Sequence, residues 1–271
     1  MSAPPVLGLA DAVRRYVRPG ARVYLGNFGA QLFCVGHEMI RQGVGDVDLV
    51  IASGGLLMDQ LLGAGVLRSA TYGHCWSPVG PAPAYNFRRA AEGGSPVVLH
   101  ELSLGLMTAA LTAGAWGVPF MPVPDRAGTG YVDEDWTAGM LGTASCAFGT
   151  ALVVRAEVPD VAFVHADLAD AAGNGVVRGP LGEVVVAAQA AAAVVVVAEE
   201  LAPAVTVRAE GITIPGVLVS AVVHRPRALA PDGALGRYDR DVAAYERYTS
   251  LAATPGGFRE WLERDVLGVP V

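Results

Sequence analysis

The sequence contains no lysine: all 19 of its basic residues are arginine. This removes the amine needed for Schiff-base catalysis and for a phosphate-binding loop of the usual kind. Charge is scarce altogether, at 17% of 271 residues, while 52% are hydrophobic and the mean hydropathy is +0.41. A disordered chain has the opposite balance. The net charge is −7 and no basic cluster is present. Nucleic acid is therefore excluded as a partner, because phosphates demand cation density, and so is an anionic membrane surface. Cysteine is sparse too. Cys34, Cys75 and Cys146 lie far apart and form neither a disulfide framework nor a paired-cysteine zinc motif. A reduced, cytoplasmic compartment is expected. His74, Cys75 and His100 lack ligand spacing, so no metal is expected. Residues 1–9 show no basic region followed by an apolar run, and no secretory signal is expected. The longest apolar stretch, 184–198, is broken by Gln189 and falls short of the about 20 residues that span a bilayer.

What the sequence does hold is an alternation of short apolar runs and helical spacings. Strands are expected over residues 22–25, 48–52, 69–72, 97–100, 161–165, 194–198 and 217–223. Helices are expected where Leu32, Val35, Met39 and Ile40 recur and Gly43 closes the run, over 56–62, and over 104–116 behind a Ser103 cap. A further helix over the first part of 184–198 feeds the 194–198 strand. Thr254 and Pro255 suit an N-cap and first helical position, and Phe258, Trp261, Leu262 and Val266 make one apolar face beyond them. The pattern implies an α/β fold, an open and mostly parallel sheet with helices on both faces. No repeat or long linker divides it, so residues 1–271 read as a single domain. Parallel sheets gather chemistry at the carboxyl ends of their strands. Gly26 to Gly29, Ser53 to Gly55, Gly73-His74 and Glu101 follow successive strands, so they are expected on one rim.

Several segments, in order and spacing, resemble the family I CoA-transferases, in particular the α (A) subunit of the glutaconate CoA-transferase type. They are Gly26-Asn27-Phe28-Gly29 after the first strand, Ala84-Tyr85-Asn86-Phe87-Arg88-Arg89, and Glu101-Leu102-Ser103 with residues 113–120 behind it. His165-Ala166-Asp167, residues 170–174, Ile214-Pro215-Gly216 and Thr254-Pro255-Gly256-Gly257-Phe258 complete the series. Two positions depart from the pattern. Asn27 stands where the family usually has a second glycine, and residues 127–131 lack an acidic residue after Gly-Thr.

The resemblance implies a fold shared with ribose-5-phosphate isomerases and a β-subunit partner, in a hetero-oligomer such as α2β2. It implies coenzyme A as substrate, with no permanently bound cofactor, and exchange between acyl-CoA and small carboxylates. In such enzymes a glutamate attacks the acyl-CoA carbonyl, usually from a Ser-Glu-Asn-Gly motif on the β chain. The matching strand end here is Ser53-Gly54-Gly55, without a carboxylate, so the nucleophile is expected on the partner.

Candidate substrate-binding residues are Gly26, Asn27, Phe28, Gly29, Ser53, His74 and Arg88. The glycine loop can offer backbone N–H groups to an oxyanion or be a tight turn. Arg88 can bind an anion bidentately or pair at a subunit interface. Glu101 is the candidate catalytic carboxylate of a second reading, because it precedes a helix N-terminus that favours its ionised form. Steroid ring-opening hydrolases of CoA thioesters resemble this scaffold and use a glutamate in this region, which would make Glu101 a general base. The structural alternative is an anion that caps the helix or pairs with an arginine. A third reading is a catalytically silent scaffold that completes a partner-chain site. The acyl group, the stoichiometry and the chain that holds CoA are not legible.

Overall fold

A computed structural model describes residues 3–27, 29–80, 82–93, 95–124 and 139–269. The first half runs β1 (Val6–Leu7), α1 (Leu9–Tyr16), β2 (Arg22–Tyr24), α2 (Phe33–Arg41), β3 (Val47–Ser53), α3 (Gly55–Gly63), β4 (Leu67–His74), α4 (Tyr85–Glu92), β5 (Val98–Glu101) and α5 (Leu104–Trp116). The second half runs β6 (Phe120–Pro122), β7 (Leu141–Cys146), β8 (Gly149–Arg155), β9 (Val161–Ala169), β10 (Gly175–Val176), α6 (Val184–Ala190), β11 (Ala193–Leu201), α7 (Ala204–Glu210), β12 (Ala221–His224), α8 (Val242–Ala252) and α9 (Pro255–Trp261).

The main sheet has the order β1-β12-β11-β9-β2-β3-β4-β5, with β10 paired to β9. Every pairing along that path is parallel, and only β10 runs against its neighbour. β3 and β9 are buried at every position. Such runs of Val, Ile, Leu and Ala suit a strand covered on both faces. The period of two then divides each strand between two cores. Val23, Leu49, Ile51, Phe163, Val195 and Val197 face one way, with α1, α2, α3, α8 and α9 packed over them. Tyr24, Val50, Ala162, Val164 and Val196 face the other way, under α5 and α6. The expected open parallel sheet with helices on both faces is thus the architecture found.

Several features go beyond the expectation, among them α1, α7 and α8 and the short strands β1 and β10. Strands β6, β8 and β7 form a separate antiparallel sheet. It packs on α5 through Leu106, Ala110, Met140 and Val154. Helix α4 occupies a stretch with no helical expectation. The run 217–223 also divides into a short 3-10 turn, Gly216–Leu218, and β12. Segments 127–131 and 133–135 lie outside the described residues.

The amino ends of the strands carry a charge network. Arg68 donates to Asp48 through Nε at 3.0 Å and Nη2 at 2.5 Å, and Ser69 Oγ donates to the same carboxylate at 2.6 Å. Arg22 pairs with the buried Glu157 at 3.1 Å. At the carboxyl rim Glu199 accepts from Tyr238 O–H at 2.5 Å and lies 3.2 Å from His165 Nε2.

Candidate active site

Because β2, β3, β4 and β5 run parallel side by side, their carboxyl ends share one rim. Ser53 and His74 are register partners at the ends of β3 and β4. Ser53 Oγ lies 2.9 Å from His74 Nε2. The main chain ties the same two ends together, with Gly54 N–H donating to the His74 carbonyl at 2.9 Å. Burial holds the His74 ring below the ordinary histidine value, so it is neutral near pH 7. The buried Ser53 hydroxyl has no other acceptor among the described residues, so its proton is directed at Nε2. His74 then carries its own proton on Nδ1, an assignment made from the hydrogen bonding.

Gln31 buttresses this pair by donating from Nε2 to the Ser53 carbonyl at 2.5 Å. Its closeness explains Gly55, which has φ +50°. A Cβ there would lie 2.4 Å from Gln31 Nε2. Gly29, Gln31, Ser53 and His74 line one wall of a narrow cleft, and Trp76 and Pro78 continue it. Asp232, Arg240 and Tyr245 face them from the chain's far end. Arg240 Nε donates to the buried Asp232 at 2.7 Å, and its guanidinium lies 5.5 Å from the Tyr245 ring centre.

The other candidates fall around this cleft rather than in it. Gly26 has φ +99° and closes a turn in which Ala30 N–H donates to the Asn27 carbonyl at 3.1 Å. The Asn27 side chain is buried and donates to the Leu181 carbonyl at 2.6 Å, which fastens the loop to residues 180–182. Phe28 lies outside the described residues. Arg88 sits on an exposed face of α4, 3.6 Å from Glu92. Its neighbours are bound internally. Arg89 donates to Asn86 Oδ1 at 2.6 Å, and the fully buried Asp59 accepts from Phe87 N–H at 2.7 Å and Tyr248 O–H at 2.5 Å.

Glu101 ends β5 in register with Tyr72. It is half-buried and makes no hydrogen bond or ion pair with the described residues. The cap of α5 is Ser103, whose Oγ accepts from Leu106 N–H at 3.3 Å. Among the described residues, no group of three or more His, Cys, Asp or Glu side chains is placed to hold a metal ion. No helix among them is long and apolar enough to cross a membrane.

Sequence reasoning missed Gln31, Asp232, Arg240 and Tyr245. The Pro231-Asp232-Gly233 tripeptide reads as a turn, and nothing local links it to Ser53, some 180 residues earlier.

A parallel α/β sheet with polar loops gathered on one rim defines a scaffold whose chemistry lies at its strand ends. Similarity to known proteins says which one. The Coenzyme A transferase family matches residues 6–225, and the chain belongs to that family. It is 32% identical over 268 residues to the A subunit of 3-oxoadipate CoA-transferase from Pseudomonas knackmussii, covering 97% of this chain and 94% of the relative. It is 28% identical over 283 residues to the A subunit of glutaconate CoA-transferase from Acidaminococcus fermentans, covering 95% and 87%. The crystal structure of the latter organism's glutaconate coenzyme A-transferase matches with TM-score 0.88 at 25% identity, over 97% of this chain and 89% of that one. The decarboxylase AibA/AibB matches with TM-score 0.84 at 28% identity, over 97% and 98%. The chain is a CoA-transferase subunit of the A type.

Proposed function

We propose that this chain is the α subunit of a heteromeric, cytoplasmic enzyme that moves CoA between small carboxylic acids, with the nucleophilic glutamate on the β subunit. The observation that carries this is the strand end Ser53-Gly54-Gly55. The resemblance aligns it with the partner's nucleophile, and here it holds a hydroxyl bound to His74 in place of a carboxylate. The partner's glutamate attacks the acyl-CoA carbonyl and expels CoA thiolate, leaving a mixed anhydride. The thiolate attacks the glutamyl carbonyl, which releases the first acid and leaves a glutamyl-CoA thioester. The second acid repeats the two steps in reverse order. Protons and electrons balance with no cofactor beyond CoA.

In this reading Gly29, Ser53 and His74 contact substrate, Gly26 and Asn27 shape the loop beside it, and Arg88 acts outside the cleft. We read the chain as one domain, since α5 serves both sheets. The exposed Trp116, Phe120 and Phe148 around the smaller sheet suit burial by the β subunit.

The test is co-expression with the β subunit, incubation with acyl-CoA, and trapping with borohydride or hydroxylamine. Mass spectrometry is expected to find the modified glutamate on the partner. Modification of this chain instead would overturn the assignment. A second reading, hydrolysis of a CoA thioester with Glu101 as base, is favoured by that half-buried carboxylate having no partner among the described residues. It predicts that Glu101→Gln abolishes turnover while no glutamyl thioester forms in the parent enzyme. A silent scaffold would tolerate changes at both Glu101 and the glycine loop.

A further inference from the structure

Beside the cleft lies a second pocket of about 150 Å3, room for a single six-membered ring. Tyr245 lines both spaces, and the other walls differ. Leu56, Tyr248 and Trp261 are buried there and make the walls apolar and aromatic. The Trp261 ring stands edge-on to Tyr248 at 4.7 Å and to His37 at 5.9 Å between ring centres. Two polar side chains complete the lining. His37 Nε2 donates to Gln60 Oε1 at 2.8 Å, an assignment made from the hydrogen bonding. Burial lowers the His37 pKa to about 4, so the ring is neutral near pH 7 and keeps a bare Nδ1 as an acceptor. Gln60 is 2% exposed, yet its Nε2 donates to no described group. A buried amide donor is costly to leave unmatched. The hydroxyls of the lining are already engaged, Tyr248 with Asp59 and Tyr245 with Arg240. The charged lining residues are paired with each other, Arg247 with Asp265 at 3.1 Å, and Arg264 also holds Asp265 at 2.8 Å.

We propose that this pocket is a binding site for a small, uncharged aromatic carboxamide. The ring of such a ligand packs against Trp261, Tyr245 and Tyr248. Its carbonyl accepts from Gln60 Nε2–H, and its N–H donates to His37 Nδ1. One functional group thus satisfies both unmatched atoms. A carboxylate has no donor for Nδ1, and it brings a charge for which the pocket holds no free counter-ion, which burial penalises. An unsubstituted ring leaves the Gln60 donor unmatched. The inference does not depend on which reaction the complex performs.

The test is a ligand-observed NMR titration of the complex of this chain with its β subunit, using benzamide, benzoate and toluene. Benzamide is expected to bind about tenfold more tightly than either of the others, the worth of one or two net hydrogen bonds. Gln60→Leu keeps the bulk of the side chain and removes the donor, and its benzamide-to-toluene affinity ratio is expected to fall to about 1. Ala244→Phe places a ring in the pocket from a half-buried position on α8 and is expected to abolish benzamide binding. Trp76→Ala alters the neighbouring cleft and is expected to leave benzamide binding unchanged. Thermal unfolding checks that each variant folds, and the Ala244 and Trp76 variants decide the question if Gln60→Leu does not. Absent or equal binding of the three probes, benzamide binding that survives Ala244→Phe, or its loss in Trp76→Ala overturns the site.

Discussion

Two glycines of one loop make opposite demands on a methyl group. Gly26 has φ +99° and Gly29 has φ +78°. An alanine at either position carries the cost of a left-handed backbone, about 1–2 kcal/mol. At Gly29 nothing lies within 4 Å of the added Cβ, so that cost is the whole of it. At Gly26 the Cβ would sit 2.0 Å from the Ala30 carbonyl oxygen and 3.1 Å from its carbon. Both are main-chain atoms, so no rotamer change relieves the clash. Moving Ala30 breaks its own N–H bond to Asn27 O at 3.1 Å and disturbs the bond from Leu32 N–H to Leu25 O, 3.2 Å, two residues on. Each bond contributes about 0.5–1.5 kcal/mol, so Gly26→Ala is expected to cost about 2–5 kcal/mol in all. At about 2–4 °C per kcal/mol, Gly29→Ala lowers Tm by a few degrees and Gly26→Ala by roughly 10 °C. Urea unfolding followed by far-ultraviolet circular dichroism measures both variants, and CoA transfer by the complex reports whether the loop still serves the site. Equal losses in the two variants would refute the close approach at Ala30.

Tyr248→Phe removes the O–H that donates to the buried Asp59 at 2.5 Å and accepts from Asn86 at 3.2 Å. A loss of about 1.5–3 kcal/mol is expected for a bond to a charged group, and a urea-derived change under about 0.5 kcal/mol would show that Asp59 finds another donor. Burial alone would raise the Glu199 carboxyl, but bonds from His165, Tyr238 and the Arg227 N–H outweigh it and hold the group below its ordinary value. Its stabilisation is therefore fully present above the unfolded glutamate pKa of about 4.3 and drains away as pH falls through the lower folded value. Glu199→Gln should be less stable than the parent at pH 7, with the gap closing in acid. A gap that widens as pH falls would contradict the sign.

Strands β2 to β5 and helices α2, α3 and α5 were legible because punctuation and burial agree there. Pro19-Gly20 precedes β2, Ser53-Gly54-Gly55 marks the passage from β3 into α3, and β3 carries the apolar run 49–52 between them. Thr254 caps α9 as read, accepting from Gly257 N–H at 3.0 Å. The smaller sheet was not legible. β7 is made of small and polar residues, mostly exposed, and shows no alternation to detect. α4 buries Asn86 alone, so it lacks an apolar stripe. α8 did carry a signal in the buried Tyr245, Tyr248 and Ala252, at helical spacing.

Ser53 and His74 were each visible as strand ends. Their hydrogen bond was not, because it depends on the register of β3 against β4. Arg240 reaches the cleft only through the tertiary fold. Its partner Asp232 lies in a turn that looks like any other in the sequence.

The ion lattice of Arg22, Asp48, Arg68 and Glu157 knits the sheet at the end remote from the Ser53–His74 cleft. On the proposed reading, the ionic lattice and the substrate cleft therefore lie at opposite poles of the molecule. A combinatorial library confined to residues 29–31 and 76–78 can be screened for new acids while the lattice goes on anchoring β2, β3 and β4.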